Sequence, residues 1–195
     1  MRGSAGSFGI TTSIEVTTFA APSSATVFSY QWDSMSVTDA ANGLADFQSF
    51  VQTNIPPEFG AEITLGKGSA SGRVYFSLVG GWYGPAAKLN ATIGPLLAKL
   101  PKNPTTSLNV GTYINSVQAL AGSSLSTTGK ADTPDTFYAK SLMTPASSPM
   151  SKAAITAFMK YLGKEGFSST TVCRLLLYTG YRLMVVYPSS HGSAR

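Results

Sequence analysis

The period of the apolar residues switches repeatedly along this chain between two and about four, and that switching most narrows the folds open to it. Ala25 to Trp32 is strand-like, with Phe28, Tyr30 and Trp32 on one face and Ser29 and Gln31 on the other. Asp33 or Ser34 is placed to cap the helix that follows, in which Val37, Ala40, Ala41, Leu44, Phe47, Phe50 and Val51 share a face before Pro56-Pro57. Phe59 to Leu65 and Arg73 to Val79 read as an antiparallel pair joined by the loop Gly66–Gly72. A second helix, from about Pro85 to Leu100, turns Leu89, Ile93, Leu96, Leu97 and Leu100 inward, with Gly94-Pro95 as a point of kinking. A short strand (Leu108–Tyr113), a short helix (Tyr113–Leu120) and a polar loop (Ser123–Asp135) come next. A strand (Phe137–Met143), a helix (Lys152–Leu162) and two apolar strands (Val172–Tyr178, Arg182–Tyr187) complete the series. Helices separated by pairs of strands predict an α+β fold, one antiparallel sheet with helices on one face. Ahead of it, Ile10 to Phe19 is a further β-branched strand, broken by Ala21-Pro22-Ser23-Ser24.

A chain of 195 residues is long enough for one domain with a real core. Only 12% of it is charged, about half the usual share, while 43% is apolar. Ser, Thr, Ala and Gly fill the difference, a composition that suits a secreted protein. The net charge of +5 is gathered toward the end, where Lys140, Lys152, Lys160, Lys164, Arg174, Arg182 and Arg195 face one acid, Glu165. These bases are scattered through apolar sequence, so the reading is a sparsely charged surface with no nucleic acid and no membrane as partner. The runs Leu175–Leu177 and Leu183–Tyr187 are far short of a membrane span. Met1-Arg2-Gly3-Ser4 leads into Gly and Ser, so no signal peptide is expected in this chain, and either a cytosolic protein or one with more sequence upstream fits.

Few side chains suggest chemistry of their own. His191 is the single histidine and stands in a Ser-rich terminus without the partners of a triad or a zinc site. Cys173, the single cysteine, lies in an apolar strand and reads as a structural thiol. Asp132 and Asp135 flank Pro134 as turn residues, with no carboxylate separation fixed for a glycosidase pair. Trp82 and Tyr83 fit either turn packing or a sugar-stacking surface. Asn90-Ala91-Thr92 is a glycosylation triplet. No catalytic residue and no metal ligand is assigned.

The stretch Arg2-Gly3-Ser4-Ala5-Gly6-Ser7-Phe8-Gly9-Ile10 enters a strand, unlike a Rossmann fingerprint, which opens a helix. Glycine there lets backbone approach a ligand, and free N–H groups in such turns cradle phosphate. Followed by the Thr-rich strand ending Thr18-Phe19 and by Ala21-Pro22, the stretch resembles the end of the FAD-binding domain in the vanillyl-alcohol-oxidase superfamily. The resemblance points to the berberine-bridge-enzyme-like, glucooligosaccharide-oxidase-like branch. Phe137-Tyr138-Ala139-Lys140-Ser141-Leu142-Met143-Thr144-Pro145 is similar to that branch's Phe-Tyr-Ala-x-Ser-Leu-x-x-Pro strand. Gly81-Trp82-Tyr83-Gly84 stands where the family turns from its strand pair into a helix.

The resemblance implies an FAD-dependent oxidoreductase that oxidises a sugar or other alcohol carbon of a small-molecule substrate, with O2 as acceptor and a secreted parent. It divides the chain into the end of an FAD-binding domain (1–24), a substrate-binding α+β domain (25–171) and a divergent tail (172–195). It places the backbone of Gly6, Ser7, Gly9 and Ile10 against FAD on its ADP side, and puts Glu62, Thr64 and Tyr138 on the substrate side. The family's flavin-linking His and Cys fall upstream and its Tyr base downstream, so a chain inactive by itself is implied. The alternative is a stand-alone, non-catalytic binding domain derived from such an oxidase. In the tail, Leu176 takes the place of the sugar oxidases' carboxylate and Arg174 that of a substrate-binding amide. A disturbed reading frame or divergence each accounts for this.

Overall fold

The computed structural model describes residues 10, 12–122, 124–126, 140–145, 147–165, 171–178 and 181–188. Seven strands, β1 (Ala25–Ser36), β2 (Phe59–Lys67), β3 (Arg73–Trp82), β4 (Thr105–Gly111), β5 (Lys140–Thr144), β6 (Thr171–Tyr178) and β7 (Tyr181–Pro188), form one sheet in the order β4-β1-β3-β2-β6-β7-β5. Every described pairing is antiparallel. Four α-helices accompany them: α1 (Val37–Phe50), α2 (Leu89–Leu97), α3 (Tyr113–Ala121) and α4 (Lys152–Lys160). This is the α+β architecture that the alternating periods predict.

The two-residue period of the central strands separates the faces. Phe28 and Trp32 of β1, Phe59, Ala61, Ile63 and Leu65 of β2, and Val74, Phe76 and Leu78 of β3 are all buried. They pack beneath Ala40, Ala41, Leu44 and Phe47 of α1, Leu89, Ile93 and Leu96 of α2, and Ile155 and Met159 of α4. Phe28 stacks on Phe59 with ring centroids 5.6 Å apart, and Trp32 meets Phe76 edge-on at 5.8 Å. Truncating any one of these rings to alanine removes about 3–5 kcal/mol.

The α1 helix starts later than Asp33 or Ser34. A bulge between Trp32 and Met35 keeps β1 paired as far as Ser36, whose side chain accepts the Asp39 N–H at 3.0 Å and becomes the cap. The α2 region opens with a 3-10 turn, Ala86–Lys88, and Pro95 lies inside the helix proper, where it has no N–H to give. At α3, Thr112 and Asn115 form a capping box, and Gly122 closes the helix in the left-handed region at φ 66°. After α4 the chain widens into a π-turn, Tyr161–Glu165, whose Gly163 carbonyl accepts the Gly72 N–H at 2.7 Å.

Two side chains bind distant segments into this layer. Gln48 of α1 donates to the Met150 carbonyl and accepts the Met150 N–H, both at 3.1 Å. The Trp32 indole N–H donates to the Pro101 carbonyl at 3.0 Å.

One sequence expectation differs. Ile10 to Phe19 has no strand at its described positions, and Ile10 and Phe19 are more than nine-tenths exposed. A β-strand exists only through a neighbour's hydrogen bonds, and no described strand lies beside this segment. Phe137 and Ala139 of the strand expected over Phe137–Met143 lie outside the described residues, and β5 covers Lys140–Thr144.

At Gly80 a methyl group would collide with the Gly60 carbonyl oxygen and the Phe28 ring, whereas at Gly60 it would meet nothing within 4 Å. Gly80→Ala is expected to lower the unfolding free energy by about 1–3 kcal/mol and Gly60→Ala to change it by less than about 0.5 kcal/mol, read by denaturant melts. Burial raises the Tyr30 phenol above its ordinary 10.0. Its stabilising contribution is complete below 10.0 and is lost as pH rises through the folded-state value, because the unfolded chain ionises first. Tyr30→Phe should therefore flatten the alkaline loss of stability relative to the wild type.

Candidate functional site

The helices α1, α2 and α4 cover one side of the central strands, so the other side is where a ligand can approach the sheet. Strand alternation assigns to it Val27, Ser29 and Gln31 of β1, Gly60, Glu62 and Thr64 of β2, and Tyr75, Ser77, Val79 and Gly81 of β3. Register brings these into rows: Thr64 beside Ser77, which is beside Gln31, and Glu62 beside Val79, which is beside Ser29. On β1, β2 and β3 these rows carry one carboxylate, several hydroxyls and an amide, and the Thr64 row continues into β6 at Arg174.

One end of this face is walled by aromatics. A methyl group at Gly81 would stand 3.1 Å from the Tyr83 hydroxyl, so Tyr83 lies over Gly81 only because that position has no side chain. Tyr83 meets Tyr113 of α3 with centroids 6.0 Å apart. A methyl at Gly111 would touch Asn115 at 3.0 Å, which puts α3 at the same end and on the same side. Three helices thus lie on the covered face and α3 borders the open one. Trp82 points the other way: it is buried, and its indole N–H donates to the Pro85 carbonyl at 3.0 Å, so it packs a turn.

The structure places Glu62 and Thr64 together on this face, both half-buried and two residues apart on β2. In β6, Leu176 pairs in register with Glu62 and Arg174 with Thr64. The position where the sequence reading sought a carboxylate is therefore directly across the ladder from Glu62. Gly6, Ser7, Gly9 and Tyr138 lie outside the described residues. Ile10 is 94% exposed.

Ser77 was not singled out from the sequence. It is 1% exposed, and its hydroxyl has no hydrogen-bond partner among the described residues. The signal was available: with Phe59–Leu65 paired to Arg73–Val79, the neighbour of Thr64 must come from the middle of β3. A cleft of about 160 Å3 lies on the covered side instead, between α1 and α2, with Phe50, Pro95 and Leu96 as walls and the Asp46–Lys99 ion pair (3.2 Å) at its rim. It falls below the roughly 300 Å3 of ordinary ligand pockets. Among the described residues no cluster of His, Cys, Asp and Glu could hold a metal, and no helix is long and apolar enough to cross a membrane.

The open face can be tested for fit to FAD. Glycines at 60 and 81 flatten it, and Tyr83, Val79 and Tyr75 offer apolar surface, which suits a planar ring or a sugar laid against it. For a diphosphate, β1, β2 and β3 offer no basic residue on this face, and Arg174 of β6 stands in register beside Thr64.

No protein-family model matches the chain. A chitooligosaccharide oxidase of Gibberella zeae is 31% identical over 175 residues, which is 87% of this chain and 33% of that protein. A solved structure of a chitooligosaccharide oxidase superposes with a TM-score of 0.73 at 23% identity, covering 90% of this chain and 40% of the other. The BBE-like 1 protein of Physcomitrella patens superposes at 0.69 with 20% identity, covering 89% and 40%. The fold is that of these proteins, and the likeness read from Arg2–Ile10 and Phe137–Pro145 is upheld. The chain spans about a third of the length of the curated relative it matches.

Ser77→Ala removes a buried hydroxyl that has no partner among the described residues. It should raise the unfolding free energy by about 1 kcal/mol, measured by urea titration.

Proposed function

We propose that this chain is the substrate-side portion of an FAD-dependent oxidoreductase that oxidises a sugar or other alcohol carbon with O2 as acceptor, and that it does not turn over by itself. The observation that carries the reading is the open sheet face. Glu62 and Thr64 stand on it beside a Tyr83–Tyr113 wall, in a chain 31% identical to a chitooligosaccharide oxidase. Bound FAD would supply the hydride acceptor for the carbon being oxidised and the route of its electrons to O2.

The chain's own residues supply recognition. The Glu62 carboxylate accepts a hydrogen bond from a substrate hydroxyl, Thr64 donates or accepts one two residues along, and Tyr83 offers a ring face to the apolar side of a sugar. Glu62 is not assigned as the base. A negative charge near a tyrosine would hinder its ionisation, so an acid on this face acts by orienting the substrate. The register pairing of Glu62 with Leu176 supports that role, because it leaves the acid on β2 with an aliphatic residue across the ladder. Gly6, Ser7, Gly9 and Ile10 are proposed for the ADP side through their backbone, and Tyr138 for the substrate side. The parent is proposed to be secreted.

A second reading is favoured by one observation: the core of β1, β2, β3, α1, α2 and α4 closes on itself, with Phe28, Phe76, Ile63 and Met159 at most 1% exposed. Such a unit could persist as a secreted binding domain that has shed catalysis. Genomic DNA beside the coding region separates the two, since family motifs there support the oxidase and an expressed transcript bounded by clean start and stop codons supports the binding domain.

The direct test is purification of the chain with flavin supplied in excess. Absorbance near 450 nm should fall far below one flavin per chain, and hydrogen peroxide should not accumulate with sugars. A stoichiometric yellow protein would refute the first reading. Tyrosine fluorescence titrated with a panel of mono- and oligosaccharides should change for the wild type. Glu62→Gln should weaken that response about tenfold, the equivalent of losing one charge-assisted hydrogen bond.

A further inference from the structure

Asn90-Ala91-Thr92 is the one Asn-x-Thr/Ser triplet in the chain with a permissive middle residue, since Asn103-Pro104-Thr105 is blocked by its proline. The triplet sits in the first turn of α2. Its neighbours Leu89 and Ile93 are buried in the core, while Asn90 and Ala91 are exposed. Asn90 therefore projects from the helical layer, on the side of the molecule away from Glu62 and Thr64.

Its described neighbours along α2 are small. Ala87, Ala91 and Ala98 are exposed and small, and Gly94, one turn on, puts nothing against the Asn90 amide, where even a methyl would begin 3.6 Å from Oδ1. The nearby charge is Lys88, and the Thr92 hydroxyl lies along the helix, donating to the Lys88 carbonyl at a long 3.3 Å. Among the described residues, the small neighbours Ala87, Ala91 and Gly94 leave room for a branched sugar at Asn90.

We propose that Asn90 carries an N-linked oligosaccharide when this chain is made on the secretory route. The Asn90 Nδ2 forms a bond to the anomeric carbon of an N-acetylglucosamine presented on a lipid diphosphate. The bond from that carbon to the diphosphate breaks, the lipid diphosphate leaves, and the amide gives up one proton. The transfer happens as the chain enters the lumen, before α2 forms, so the helix need not open. The glycan then covers the sparsely charged outer surface of α2 and leaves the open sheet face clear.

The test is translation of the chain behind a cleavable leader with microsomes, with a reporter Asn-x-Thr triplet in the linker after the leader. Counting only molecules whose reporter is occupied restricts the measurement to chains that entered the lumen. The expected product carries two endoglycosidase-sensitive glycans. Asn90→Gln and Thr92→Ala should each reduce this to one, and Thr92→Ser should keep two. Reporter-positive chains with a single glycan in the wild type, or two glycans in Asn90→Gln, would overturn the proposal. The outcome does not depend on flavin or on substrate.

Discussion

The close approach of β1, β2 and β3 around Gly80 is the constraint from which the layer follows. Gly80 has the Gly60 carbonyl and the Phe28 ring where a side chain would be, so the central ladder can be tight only at that residue type. The tightness lets Phe28 reach Phe59 and lets Phe76 and Leu78 fill the space under α1. With the apolar parity of three strands committed to one side, polar residues of the opposite parity are left on the other. The open face is in this sense the remainder of the core, held by the packing beneath it.

The open face is chemically sparse, which suits the division of labour proposed for it. Glu62, Thr64, Ser29 and Gln31 offer acceptors and small donors, and Tyr83 offers a ring. Such a surface can orient a neutral polyhydroxyl compound through hydrogen bonds.

The element types were legible in the sequence because their periods are strong: Phe28/Tyr30/Trp32 at two, and Ala40/Leu44/Phe47 at about four. The antiparallel sheet followed from the order of those elements. The start of α1 was misplaced because a bulge between Trp32 and Met35 extends β1, and bulges leave no periodic trace. The Ile10–Phe19 strand was read from β-branched composition alone, yet pairing needs a partner that composition does not reveal. The Gln48–Met150 and Trp32–Pro101 bonds join residues 102 and 69 positions apart, beyond any local pattern. Of the site, Glu62 and Thr64 came from family resemblance, and parity alone would have added Ser77. The outward turn of Tyr83 against the inward turn of Trp82 depends on Gly81 having no side chain, a relation visible only once β3 is folded.

The outermost strand, β4, has a consequence for how the protein behaves at high concentration. Thr105–Gly111 contains no charge and no proline, Leu108 and Val110 are more than half exposed, and among the described residues its only ladder is with β1. Natural sheets commonly guard such an edge with lysine, proline or a bulge. Among the described residues, the outer amides and carbonyls of this seven-residue strand are left as a template. Colloidal stability then rests on the modest net charge of +5, and salt that screens that charge would bring edges together before it disturbed the core.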